Sequence, residues 1–292
     1  KMKVDFFIAG APKAGTTSLY HYLNEHPEIS MSSQKEPDYF SDSDIHNEGM
    51  YYGKNRIDTI KKYHALFDDN LESKLKGEAS VSYLFYKNVP QKIKTYNPDA
   101  KIIIMLRNPI DRAFSHYLMD YRLGLVSDSF EDIIDQKSVH KNAKLFYQQY
   151  IELSEYADQV KRYLDVFNEK EILFIEYEDL KMDVLGIVKK TYLFLGVNQA
   201  YVPDVNKKHN TYTMPKNRII RFIYSFVILR NILSLFFPKN LVDRLRTALF
   251  KNDKKPKPLD KTRNRLKQLF INDVNALGEI LNKDFSRWTK LD

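Results

Sequence analysis

The 292-residue chain carries 46 Lys and Arg against 38 Asp and Glu, a formal charge of +8, with no cysteine and 43% hydrophobic residues. That composition is globular and excludes a disordered tail or a collagen-like polymer. Without a thiol there is no disulfide framework, iron–sulfur cluster, cysteine-based zinc site or thiol nucleophile, which points to an intracellular compartment. The seven histidines form no H-x-H or H-E-x-x-H pattern, so no metal site is expected.

Taken in chain order, residues 4–9 read as a buried strand, and Asp5 breaks the run that a secretory leader would need. A cytoplasmic protein is therefore expected. Residues 16–25 read as a helix stopped before Pro27, and KIIIML (101–106) as a second buried strand. Pro109 then takes the first position of a helix capped by Asn108. EILFIEY (171–177) is a third strand, and residues 183–195 form a helix ended by Gly196. Near-continuous apolar strands separated by helices predict a three-layer α/β fold around a central parallel sheet, as one domain over 1–292.

Beyond Pro215 the pattern is wholly helical, making 219–292 a mostly helical, basic C-terminal part. Residues 219–237 are apolar at 14 of 19 positions, but Arg221 and Arg230 leave no span near the ~20 residues a membrane crossing needs. This stretch packs on the sheet or lies in a membrane interface, so peripheral membrane contact through 216–246 is an expectation. The last helix, 262–281, aligns Leu266, Leu269, Phe270, Leu277 and Leu281 on one core-facing stripe. Residues 207–267 hold 17 basic and three acidic side chains, either a solvated face or a platform for a polyanion.

The chemistry concentrates in FFIAGAPKAGTTSL (6–19). A buried strand runs into a glycine turn and then a helix opening with three hydroxyl residues, so backbone N–H groups and the positive helix end converge on one anion-sized space. Gly10 and Gly15 supply backbone freedom, Lys13 supplies charge, and Thr16, Thr17 and Ser18 supply donors. A nucleoside-triphosphate loop would place its lysine directly after the last glycine, whereas Lys13 precedes Gly15 by two. The second strand runs into Arg107, a cation where a magnesium-binding carboxylate would stand. Arg107, with Ser115 two turns into the next helix, suits a second phosphate at the same sheet edge.

PKAGTTSL and KIIIMLRNPIDRAFSHY together resemble the 5′-phosphosulfate loop and 3′-phosphate motif of sulfotransferases that use 3′-phosphoadenosine 5′-phosphosulfate (PAPS). KEPDYF (35–40), GEASVSYL (77–84), FIEYEDL (174–180) and the closing run 266–288 are similar to the bacterial and carbohydrate branch of that family. The resemblance implies a P-loop-type fold and sulfuryl transfer from PAPS to an acceptor hydroxyl, on a saccharide or glycolipid, leaving adenosine 3′,5′-bisphosphate. It implies that Lys13, Ala14, Gly15, Thr16, Thr17 and Ser18 hold the 5′-phosphosulfate and that Arg107 and Ser115 hold the 3′-phosphate. It makes Glu36 the catalytic base and Lys13 the catalytic cation. No metal and no nucleic-acid partner are expected.

Two departures stand out. Ala79 replaces the lysine that heparan-type members carry after the glutamate matching Glu78, and no histidine lies in 77–84 to serve as the base of the small-molecule branch. His116 is the rival base. Lys207, Lys208, Lys216 and Arg218 are candidates for a late basic loop over the donor, and Tyr39, Phe40, Tyr83 and Phe85 for an aromatic acceptor wall. The alternative functions are a P-loop nucleotide kinase and a non-catalytic polyanion- or membrane-binding protein on the same scaffold.

Overall fold

The computed structural model describes residues 2–52, 56–67, 75–205, 213–215, 250–252 and 255–290. Lys207, Lys208, Lys216 and Arg218, the candidates for a basic loop over the donor, and the 216–246 segment expected to touch a membrane lie outside them. Five parallel strands form the sheet in the order β2-β3-β1-β4-β5: β1 (Phe6–Gly10), β2 (Ile29–Met31), β3 (Leu75–Ala79), β4 (Lys101–Leu106) and β5 (Ile172–Glu176). Every residue of β1 is buried, as a central strand covered by helices on both faces requires. Fully burying Phe6, Phe7 and Ile8 stabilises the fold by about 1.5–3 kcal/mol each.

Gly77 in β3 is there for space, since a Cβ would stand 2.1 Å from the tip of the Phe6 ring. The helices that matter for the site are α1 (Thr16–Asn24), α2 (Asp42–Asn47), α3 (Ile60–His64), α4 (Val89–Tyr96), α5 (Pro109–Leu123), α6 (Phe130–Ile134), α7 (Ala143–Tyr150) and α8 (Ala157–Leu164). They are followed by α9 (Tyr177–Met182), α10 (Val184–Leu195) and α11 (Asp260–Leu281).

The strands and helices read from periodicity stand within a residue or two of their expected bounds. In α11 Leu266, Phe270 and Leu277 are buried and Leu269 and Leu281 partly so, as their spacing requires. Two corrections arise. The short strands β2 and β3 carry too few apolar residues to announce themselves. The C-terminal part is not wholly helical, because β7 (Phe250–Asn252) pairs antiparallel with β6 (Thr213–Pro215).

Sheet order fixes the site. From β1 the chain crosses to the edge strand β2, returns inward to β3, and then passes over β1 to β4 and β5, so the C-terminal end of β1 is the switch point where ligands bind in open α/β sheets. Ala11 N donates to Met105 O at 2.7 Å, seating the loop after β1 against the end of β4. On the opposite flank Ser80 N donates to Ile8 O and Leu84 N to Ala9 O.

Candidate active site

The loop after β1 delivers Lys13 in a left-handed conformation, φ 66°, and Gly15 caps α1 at φ 90° with no side chain to accept from the first turn. The opening N–H groups of a helix have no intrahelical acceptor, and here no capping side chain takes them. Ala14 and Thr16 are buried, and Thr17 and Ser18 half-buried. A Cβ on Gly15 would come within 2.9 Å of the Tyr177 ring, so glycine is required by both conformation and space.

Arg107, at the mouth of β4, donates from Nη1 to Lys13 O at 2.8 Å and lies over the Tyr177 ring at 4.5 Å. Its buried Nε has no acceptor among the described residues. Its carbonyl accepts from Tyr156 Oη at 2.9 Å, and the Tyr156 and Ala157 N–H groups donate to Asp273 on α11 at 2.6 and 2.9 Å. The C-terminal run thereby braces the arginine. Asn108 caps α5 by accepting from Ile110 N at 3.0 Å, and its own N–H donates to Glu178 of the FIEYEDL segment at 3.1 Å. Ser115, buried, lies two turns along the same helix.

Charges crowd around Lys13. Burial first, then the like charges of Arg122 and Arg107, pull its pKa down to about 8, while Glu36 and Asp120 hold it up. Lys255 joins this group. Although much of its surface is exposed, desolvation around the ammonium and the charges of Arg107 and Lys13 push its pKa to about 8. Cations set this close mark a place for a multiply charged anion.

Glu36 enters from the β3 flank. Its N–H donates to Ala79 O at 2.8 Å, and its backbone is left-handed, φ 57°. Asp38, also left-handed at φ 55°, is pinned by Ser80 Oγ, which accepts from its N–H at 3.0 Å, and by Ser82 Oγ, which donates to Oδ1 at 2.6 Å. Lys35 Nζ sits 2.5 Å from Glu36 Oε1, and the carboxylate side chain is 30% exposed. Glu36 is thus both paired with Lys35 and within the field of Lys13.

The aromatic wall does not form as expected. Tyr83 is fully buried and Phe40 nearly so, edge-on to each other at 5.7 Å, because both close the core beneath the loop. His116 is a poor base. It is buried, and desolvation with the Arg112 and Lys13 charges holds its pKa well below the ordinary value. Sequence reasoning assigned no site role to Arg122, Tyr177, Lys255 or the buried Glu78, although Tyr177 and Glu78 lay inside segments already singled out and Lys255 in the basic stretch 207–267.

The sulfotransferase domain, as a family model, matches residues 3–239. The chain belongs to the sulfotransferase family. Among solved structures, a sulfotransferase from Alicyclobacillus acidocaldarius is similar over 99% of this chain and 100% of its own, at 29% identity and TM-score 0.70. Carbohydrate sulfotransferase 15 of Mus musculus is 26% identical over 66% of this chain and 43% of its own length. The bifunctional heparan sulfate N-deacetylase/N-sulfotransferase 4 of the same organism is 28% identical over 67% of this chain and 22% of its own. The sulfotransferase chain thus spans less than half the length of these curated relatives. Among its described residues no group of three or more His, Asp or Glu is arranged to hold a metal ion, and no helix is long and apolar enough to cross a membrane.

Proposed function

We propose that the chain transfers the sulfuryl group of PAPS to an acceptor hydroxyl on a saccharide. The observation that carries this reading is the convergence of Lys13, Arg107, Arg122 and Lys255 on one sheet edge with the Glu36 carboxylate entering from the opposite flank. The first turn of α1 and the Lys13 ammonium take the 5′ end of the donor, and Arg107 with Ser115 takes the 3′-phosphate. The unpaired Arg107 Nε and the glycine at position 15, where a Cβ would meet Tyr177, fit a bulky anion held by backbone and guanidinium. The relatives named for carbohydrate and heparan sulfate support a saccharide acceptor.

In this reading Glu36 accepts the hydroxyl proton as the acceptor oxygen bonds to sulfur. The bond between sulfur and the bridging phosphate oxygen breaks, its electron pair staying on that oxygen. Lys13 offsets the charge developing there, an interaction stronger in the transition state than before it. Lys35 fixes the orientation of the Glu36 carboxylate.

The test is transfer of radiolabelled sulfate from PAPS to a panel of saccharides and glycolipids. Glu36→Gln should lower kcat by about 10²–10⁴-fold with affinity for adenosine 3′,5′-bisphosphate unchanged by calorimetry. Transfer undiminished in that variant removes Glu36 as base, and absence of transfer to any acceptor by the wild type removes the function.

A further inference from the structure

Beside Lys13 lies a buried polar cluster that the proposed chemistry does not use. Asp120, on α5, is completely buried. Its carboxylate accepts from Tyr51 Oη at 2.7 Å, from Tyr52 Oη at 2.7 and 2.9 Å, and from Tyr150 Oη on α7 at 2.8 Å. His116 Nε2 stands 2.8 Å from Tyr52 Oη, and His116 Nδ1 stands 3.3 Å from the Nη1 of Arg112. Arg112, fully buried, spends its remaining donors on Ser154 Oγ and the carbonyls of Gln149 and Tyr150. Since an arginine only donates and the Tyr52 hydroxyl donates to Asp120, the chain runs from Arg112 through His116 and Tyr52 and ends at Asp120. Three phenol protons aimed at one carboxyl group describe an anion, because a carboxylate is an acceptor only.

That anion is adjacent to the donor loop. Lys13 Nζ donates to the Sδ of Met119, the neighbour of Asp120, at 3.4 Å. We propose that Asp120 is a positioning residue for the donor site: its carboxylate, held by the hydroxyls of Tyr51, Tyr52 and Tyr150, is the buried counter-charge that keeps the Lys13 ammonium protonated among its cationic neighbours.

The groups facing Lys13 support the need for one. Arg122 and the neutral His116 face it from α5, Arg107 from the end of β4 and Lys255 from the segment before α11; Glu36 is the opposing charge from the β3 flank. Glu36 gains a proton during the proposed turnover, so a second carboxylate that takes no part in proton transfer holds the ammonium through the cycle. Burial raises the Asp120 pKa to about 6 against the three tyrosine donors, which leaves it charged at neutral pH. The Tyr51–Tyr52 segment also ties the stretch between α2 and α3 to the helix that carries Ser115.

The inference takes its meaning for catalysis from the sulfuryl-transfer reading, but Lys13 titration is measurable without it. Trace acetylation of the protein across pH, read by mass spectrometry of the peptide containing Lys13, reports the ammonium directly. Asp120→Asn should move the Lys13 midpoint, and the alkaline limb of adenosine 3′,5′-bisphosphate binding, to lower pH by about half a unit or more. Binding at pH 6, where Lys13 is protonated in both proteins, should match the wild type within about twofold. Asp120→Glu should restore the midpoint. If Asp120→Asn does not fold, Asp120→Ser, whose hydroxyl still accepts a phenol proton, replaces it. Affinity lost equally at every pH, or a Lys13 midpoint that stays in place, overturns the proposal. A shifted midpoint in a protein that transfers no sulfate overturns the proposed function and leaves this inference standing.

Discussion

Glu78 sits within the sheet, in β3 between β2 and β1, with no exposed surface. It accepts from Tyr63 Oη at 3.2 Å and from Ser80 Oγ at 3.1 Å. Desolvation dominates these partners and, with the nearby Asp38 charge, lifts its pKa from 4.5 to about 8. The folded protein therefore holds a proton at pH 7 that the unfolded chain releases. A folded pKa above the unfolded value means stability is greatest below pH 4.5 and is lost as pH climbs toward 8. At 1.36 kcal/mol per unit, this one carboxyl removes about 2.5 kcal/mol between pH 5.5 and 7.5. Glu78→Gln, the isostere of the protonated form, removes that dependence.

Urea unfolding followed by fluorescence of Trp288, the single tryptophan and 2% exposed, should show the wild type losing about that amount relative to the variant over this range. Differences cancel the contributions of every other titrating group to first order. Parallel stability curves for the two proteins would mean that Glu78 is ionised in the fold, and the burial argument would fail.

Arg107→Lys keeps the charge but gives up the planar fork, the bond to Lys13 O and the stack on Tyr177. Calorimetric affinity for adenosine 3′,5′-bisphosphate should fall about 10–100-fold, in line with one or two charged hydrogen bonds, and affinity for adenosine 5′-phosphate much less; an equal loss for both would place Arg107 away from the 3′ end. Asp273→Ala removes the acceptor for the Tyr156 and Ala157 N–H groups at the start of α8. It should cost about 2 kcal/mol, a fall in Tm of about 4–8 °C, and a melting curve matching the wild type would show that water replaces the carboxylate without loss.

The strands that could be read from sequence, β1, β4 and β5, are buried on both faces and spell this out as unbroken apolar runs. The β3 segment LKGEA is almost as buried yet spells lysine, glycine and glutamate. Gly77 makes room for Phe6, and Glu78 is tolerated because it is neutral there, two tertiary effects that leave no trace in local composition. The phosphate loop and Arg107 were legible because both are local patterns at strand ends. Lys255 was not, since it stands in a short lysine–proline run far along the chain, and only the fold sets its charge beside Arg107 and Lys13. Asp120 reads as one more acid on an amphipathic helix, and only the fold reveals three tyrosines from two other segments around it.

Because β1 is hydrogen-bonded to β4 on one side and β3 on the other, the proposed nucleotide grip and the proposed proton acceptor hang from opposite neighbours of a single strand. Variation is therefore separable. Loops rooted on β2 and β3 are free to diverge around the proposed acceptor while the β4 and β5 margin keeps the proposed donor grip. A directed-evolution library aimed at altered selectivity belongs in residues 39–52 and 81–88, with Tyr51 and Tyr52 left intact as the strap joining the two margins.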